Sequence, residues 1–239
     1  DFYISGEDAK NIKEGKLIRK DVIRYVDDIT YEKWMSKKIK NGDIILTSEA
    51  PLGELYHVKE FKEFCIGQRL FAIRCNIKKI DDSFLFYYLS SIRGQQELSS
   101  RGTGSTVPGI RQEELRTIFI CFPKDLNEQQ KIGKILSDLD SKIQNIQNQN
   151  KILEQTAQTI FKSWFVDFYG VTEFEDSEKG KIPKGWSLNI LDHIANNIKN
   201  IIEPKDITHD DLYIGLEHMP RDNIGLDTWE NSHDLKSNK

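Results

Sequence analysis

Residues 120–143 read ICFPKDLNEQQKIGKILSDLDSKI, and the character of the chain changes inside that stretch. Up to Pro123 the apolar residues run together; beyond it they recur every third or fourth place. Asp125 or Asn127 offers an N-cap, with Glu128 or Gln130 three residues on to close a capping box. Ile132, Leu136, Leu139, Ile143, Ile146, Asn150, Leu153, Ala157, Ile160 and Trp164 then follow one another by four, three, four, three without a slip. That spacing is the seam of a coiled coil. It predicts one helix from Asn127 to Tyr169, about 43 residues or roughly 65 Å at about 1.5 Å per residue. A helix with such a seam needs a second helix, from elsewhere in this chain, from another copy or from a part beyond it. Asn150 stands on an a position, where a buried amide fixes register or partner number unless the helix pair splays and leaves it wet.

Upstream of the helix, strand-like and helical runs alternate. DIILT (43–47) and LFAIRC (70–75) are β-branched or aromatic and bounded by polar residues, as strands are. DDSFLFYYLSSIRGQQEL (81–98) carries Phe84, Leu85, Tyr88, Leu89 and Ile92 at helical spacing, which predicts one buried helix face. TIFICFP (117–123) reads as a buried strand closed by proline. Residues 1–123 are therefore expected to form an α+β domain, and residues 124–169 the long helix.

Downstream, the glycines and charges of YGVTEFEDSEKGKIPKGW predict a linker over 170–184. A further element, helix or strand, is expected around Leu188 to Ile194 in a last segment, 185–239. That segment contains DLYIGLE (211–217), which repeats DFYISGE (1–7): at an offset of 210, Asp1, Tyr3, Ile4, Glu7 and Gly15 recur as Asp211, Tyr213, Ile214, Glu217 and Gly225. From Asp211 to the last residue the repeat runs for only 29 residues. Such a piece cannot bury a core of its own, so it reads as the truncated start of a second copy. Asp1 is not a start methionine and no signal-like segment follows it, which reads as a chain lacking an N-terminal piece.

The composition bounds the function. With 38% hydrophobic residues the 239-residue chain can build a core, and no run of about 18 apolar residues predicts a membrane span. Cys65, Cys75 and Cys121 fit no metal or redox spacing and read as buried free thiols in a reducing cytoplasm. The net charge is −4; residues 1–123 hold 20 Lys and Arg against 18 Asp and Glu, a net +2, and the remainder holds −6. Neither part grips phosphates unaided. His57, His193, His209, His218 and His233 form no HExxH and no zinc spacing with cysteine. RGTGSTVPG (101–109) lacks the Walker lysine and the GxGxxG spacing, and Val107 and Pro108 interrupt the helix start that a phosphate cradle requires. Triplets such as Glu60 to Lys62 are not preceded by Pro-Asp, and no Asn-Pro-Pro-aromatic tetrapeptide is present to hold a flipped adenine. The expectation is a chain with no catalytic residues and no metal, acting by binding.

The pieces together resemble the specificity (S) subunit of type I restriction-modification systems, in a truncated or half-length form. The resemblance lies in YISGEDAKNIKEGKL (3–17), NGDIILTSEAPLGEL (41–55), IGQRLFAIR (66–74), the RGTGSTVPGI loop with Leu115, and above all residues 120–143. KIPKGWSLNILDHI (181–194) is similar to the opening of a next recognition domain, which YIGLEHM (213–219) continues.

The resemblance implies a target recognition domain with a mixed or antiparallel sheet and short helices, then a conserved spacer helix, then the start of a second recognition domain. It implies a non-catalytic role in host defence: each recognition domain reads half of a bipartite site in double-stranded DNA, and the helices set the distance between halves. Modification subunits using S-adenosylmethionine and ATP-dependent restriction subunits are the implied partners, so this chain is expected to bind no cofactor itself. The resemblance points to Thr47, Ser48, Gln68 and Arg69 as base-reading candidates. Arg101, Thr103, Ser105 and Thr106 have suitable chemistry too, and Lys37 and Lys38 are candidate phosphate contacts. Two alternatives stay open at this point: a piece of a fused methyltransferase-specificity protein, and a coiled-coil assembly module without a DNA role.

Overall fold

The computed structural model describes residues 2–4, 11–13, 15–18, 26–60, 64–104, 107–199, 208, 211–220, 225–226 and 228–231. They fall into two compact units, Asp1–Lys142 and Ile143–Lys239. Asp1, Glu7, Ser105, Thr106, His209 and His233 lie outside the described residues.

In chain order the first unit contains β1 (Phe2–Ile4), β2 (Ile12–Lys13), β3 (Lys16–Leu17), α1 (Asp28–Trp34), β4 (Ile44–Thr47), β5 (Leu55–His57), β6 (Phe64–Ile66), β7 (Leu70–Ile73), α2 (Asp82–Ser90), α3 (Ile92–Ser100) and α4 (Gln112–Leu115). The fold is α+β. At its centre β4 pairs antiparallel with β5 on one side and β7 on the other, in the register Leu46 with Leu55 and Thr47 with Leu70. Beside this sheet β1 runs parallel to β6.

DIILT is apolar without alternation because β4 is covered on both faces. Ile45 joins Ile12, Tyr31, Met35, Ile39, Val58 and Phe64 in one core cluster. Ile44 and Leu46 point the other way, into a cluster with Leu55, Leu85, Phe86, Leu89 and Leu98. A strand's side chains alternate between faces, so a strand between two apolar layers needs hydrophobic residues at every place.

The helical run 81–98 is two helices. Ser91 is extended, ends α2, and accepts from Gly94 N at 3.2 Å to cap α3. The break rotates the face, and Ile92, predicted to be buried, is 81% exposed. TIFICFP forms no strand: Ile118 and Ile120 pack on the second cluster while Phe119 is exposed. Of the thiols, Cys65 is buried, Cys75 half-buried and Cys121 exposed, contrary to the expectation for the last. Burial, and then Asp82, Asp81 and Asp43, push the Cys75 thiol up to about 12.

The last helix of the unit is α5 (Leu126–Phe161), which continues into the second. Asp125 caps it, its carboxylate accepting from Asn127 N at 2.9 Å. One turn on, Gln129 is completely buried: its Oε1 accepts from Asp81 N at 2.8 Å, and its Nε2 donates to Pro123 O at 2.7 Å and to Lys79 O at 3.2 Å. Gly133 follows on the same face, where a Cβ would lie 2.9 Å from Ser83 Cβ and 3.0 Å from Phe84 N. Further along, Ser137 accepts from Lys59 Nζ at 2.9 Å and Asp140 from the Tyr87 hydroxyl at 2.7 Å. The compact unit therefore extends past the expected boundary at 123 to Lys142, because the first turns of the helix pack on α2.

At the start of α2, His57 Nε2 lies 3.4 Å from Asp82 Oδ2 and the imidazole stacks on Phe86. The His57 imidazole beside it is the chief cause that holds the Asp82 carboxyl below its ordinary value, against the opposing effect of burial. A depressed carboxylate stabilises the fold above its unfolded-state pKa and loses that contribution as pH falls through the lower, folded value. Thermal midpoints are therefore expected to be flat above about pH 5 and to fall below about pH 4. Asp82→Asn is expected to flatten the acid limb of the same series; an unchanged limb would assign it to other groups.

In the second unit α5 passes at Phe161 into a π-helical turn, Lys162–Val166, so the α-helix ends before the predicted Tyr169. Trp164, the last seam position, lies in that turn, where the wider winding takes it out of the heptad phase. Leu139, Ile143, Ile146, Leu153 and Ile160 are between 41 and 66% exposed, Asn150 and Ala157 are exposed, and Ile132 and Leu136 are half-buried. The predicted linker carries a hairpin, β8 (Phe174–Ser177) with β9 (Gly180–Pro183). Phe174 packs edge-on against Phe168, which in turn meets Trp186. After it come α6 (Leu191–Ile194), β10 (Leu212–Tyr213) and β11 (Glu230–Asn231). Each phrase of the sequence repeat thus contains a short strand, β1 and β10.

Candidate nucleic-acid interface

Three chain segments meet where β4 ends and β7 begins. Ser48 N donates to Arg69 O at 2.8 Å, joining the loop after β4 to the β6–β7 turn. Ile110 N donates to Ser48 O at 2.9 Å, and Glu49 bridges Gly109, which brings in the glycine-rich loop. That loop closes on itself through two hydrogen bonds between Thr103 and Gly109. Gly109 permits the approach: a Cβ there would sit 3.2 Å from Glu49 Cβ and 3.3 Å from Ser48 O.

The structure sorts the predicted residues. Gln68 and Thr103 are exposed on this cluster, and Arg69 is half-exposed with its Nε 2.8 Å from Glu49 Oε1. Arg101 belongs to the glycine-rich loop, but its terminal nitrogens are engaged by the Thr117 hydroxyl and by Glu97, and its guanidinium lies over the Phe119 ring.

Thr47 and Ser48 are buried, which removes them as direct base readers. Thr47 Oγ1 donates to Pro51 O at 2.6 Å and accepts from Glu54 N at 2.9 Å, so it shapes the β4–β5 loop. Thr47→Val keeps the shape and orphans both backbone groups. It is expected to cost about 2 kcal/mol in a urea titration while leaving ligand binding by the folded fraction unchanged.

Lys37 and Lys38 precede β4, and the Lys38 carbonyl lies at the end of the sheet opposite the cluster. Lys38 Nζ is 2.5 Å from Glu32 and lies over the Tyr31 ring. The Lys38 carbonyl accepts from Arg74, whose guanidinium makes a fork with buried Asp43, Nε to Oδ1 at 2.7 Å and Nη2 to Oδ2 at 2.6 Å. These two lysines therefore belong to a different surface from Arg69.

Residues 10–155, more than half of the chain, match the model of the family described as type I restriction modification DNA specificity domain. The chain belongs to this family. Among curated relatives, the type I restriction enzyme MjaIX specificity subunit of Methanocaldococcus jannaschii is 34% identical over 157 residues, 64% of this chain and 35% of that protein. The HindI specificity subunit of Haemophilus influenzae is 32% identical over 136 residues, 55% of this chain and 29% of that one. The chain thus spans about a third of the length of the curated relatives it matches. A crystal structure of the HsdS subunit from Thermoanaerobacter tengcongensis aligns with 78% of this chain and 46% of its own, at 18% identity and a TM-score of 0.44.

In this member of the specificity-domain family the sequence reading missed Glu49, although it stands in the quoted NGDIILTSEAPLGEL stretch. A carboxylate is not a residue sought at a DNA surface, and only the fold shows that it faces Arg69. Gln129 lies in the same 120–143 stretch, and nothing in its sequence neighbourhood marks it as a buried group. Among the described residues, no helix is long and apolar enough to cross a membrane.

Proposed function

We propose that this chain is the DNA-sequence-recognition part of a type I restriction-modification complex. The family match over residues 10–155 carries the reading, because it takes in both the three-segment cluster and most of α5. In this reading the first unit reads one half of a bipartite site in double-stranded DNA. The long helix sets the distance between half-sites and docks the modification subunits. Residues 185–239 begin a second recognition domain, and the complex works in the cytoplasm.

The chain itself is non-catalytic and carries no cofactor. S-adenosylmethionine serves the modification subunits, which methylate adenine, and ATP serves the restriction subunits. A net charge of −4 suits this division, since the partners closing around the duplex supply the remaining phosphate neutralisation. The exposed seam of α5 further supports pairing with a second copy, which would supply a second recognition domain.

The test is methyl transfer from labelled S-adenosylmethionine by the modification subunits, with and without this chain, into a pool of random duplexes. Methylated products sharing a bipartite motif only when the chain is present are expected. Products whose sequence does not depend on the chain would overturn the proposal.

A further inference from the structure

We infer that Arg69 reads a guanine in the major groove and that Glu49 is the positioning residue that aims it. The inference rests on the DNA-reading function proposed above and names the ligand of one side chain within it.

Three observations converge. Glu49 Oε1 forms an ion pair with Arg69, 2.8 Å from Nε, and among the described residues the two terminal nitrogens donate no hydrogen bond, on a side chain 43% exposed. Of the two candidate arginines at this end of the sheet, Arg101 donates from one terminal nitrogen to Thr117, pairs with Glu97 through the other and lies over the Phe119 ring, so Arg69 is the one with the freer fork. The residue that holds it is itself anchored through its backbone. The Glu49 backbone bridges Gly109, and the space a Gly109 side chain would fill lies 3.4 Å from Glu49 Oε2.

A guanidinium with a carboxylate beside Nε still offers two parallel donors at its far end, and guanine presents O6 and N7 as two parallel acceptors in the major groove. A phosphate would satisfy the same donors, but it would have to approach a pair that is net neutral, with a carboxylate beside the guanidinium. Repulsion from the carboxylate acts on the full charge of a phosphate more strongly than on the partial charges of a base edge. The electrostatics therefore select the base.

The experiment uses the complex of this chain with its modification subunits, and binding to duplexes randomised at each half-site position. Arg69→Lys keeps the charge and removes the fork. It is expected to lower the preference for guanine at a single position by on the order of 10- to 100-fold, with overall binding and its salt dependence unchanged. Glu49→Ala is expected to lose the same preference without weakening total binding, because it removes a negative charge from a surface facing phosphates. Glu49→Gln, which keeps an oxygen for Nε, should retain most of it.

A uniform loss of affinity on all sequences in Arg69→Ala, with a shallower salt slope, would make Arg69 a phosphate contact and overturn the inference. Full guanine preference in Glu49→Ala would overturn the positioning role. A parent complex whose sequence choice does not depend on this chain would instead defeat the functional reading beneath both.

Discussion

Replacing Gln129 by leucine is expected to destabilise the first unit by about 4 kcal/mol. The side chains are close in volume, so no large cavity opens. What is lost is a set of hydrogen bonds at a site with no solvent exposure: Asp81 N, Lys79 O and Pro123 O would all be left facing hydrocarbon. Each orphaned backbone group costs roughly 1–3 kcal/mol. Asp81 is also the N-cap of α2, accepting from Phe84 N at 2.9 Å, so the defect falls on a helix start. Urea unfolding followed by circular dichroism would measure it as a lower midpoint at unchanged slope. A loss below about 1 kcal/mol would mean that the amide does not make these three bonds.

The second large effect concerns assembly. Changing Ile143 and Ile146 together to aspartate is expected to turn a dimer into a monomer, with the dissociation constant rising at least about a thousandfold. Both side chains are about half exposed in the single chain, so the substitutions leave the first unit's folding intact. In a dimer each isoleucine removed forfeits roughly 1.5–3 kcal/mol of burial, the seam repeats them in the other copy, and the new carboxylates repel one another. Light scattering across a concentration series reads the result. A parent chain monomeric at every concentration would retire pairing with a second copy and leave the seam to a helix of another polypeptide.

How much of this is legible in the sequence depends on whether an interaction is local. The strand in DIILT and the long helix from Leu126 are legible because period and capping are properties of neighbouring residues. The break at Ser91 is less so: the apolar spacing runs on through it, and only the serine's capping role, with Gly94 packed against Tyr88 and Leu89, divides the helix. TIFICFP has a strand's composition yet pairs with nothing, since a ladder needs a neighbour that composition does not reveal. The residues 170–184 read as a linker from their glycines, and those same glycines allow the β8–β9 turn, where Gly180 has φ 111°.

At the candidate interface, the loops were legible as places and the individual side chains were not. Thr47 and Gln68 look equally suited to a base edge. Burial separates them, and Thr47 is buried where the β4–β5 loop folds back on it through Pro51 and Glu54.

The three-segment cluster stands on a strand that cannot move. Ile44, Ile45, Leu46 and Thr47 have no exposure at all, whereas Gln68 and Thr103, one and a few residues from fixed backbone, lie open. A change of side chain at these tips therefore leaves the buried strand beneath them undisturbed. The surface can be rewritten without refolding the frame.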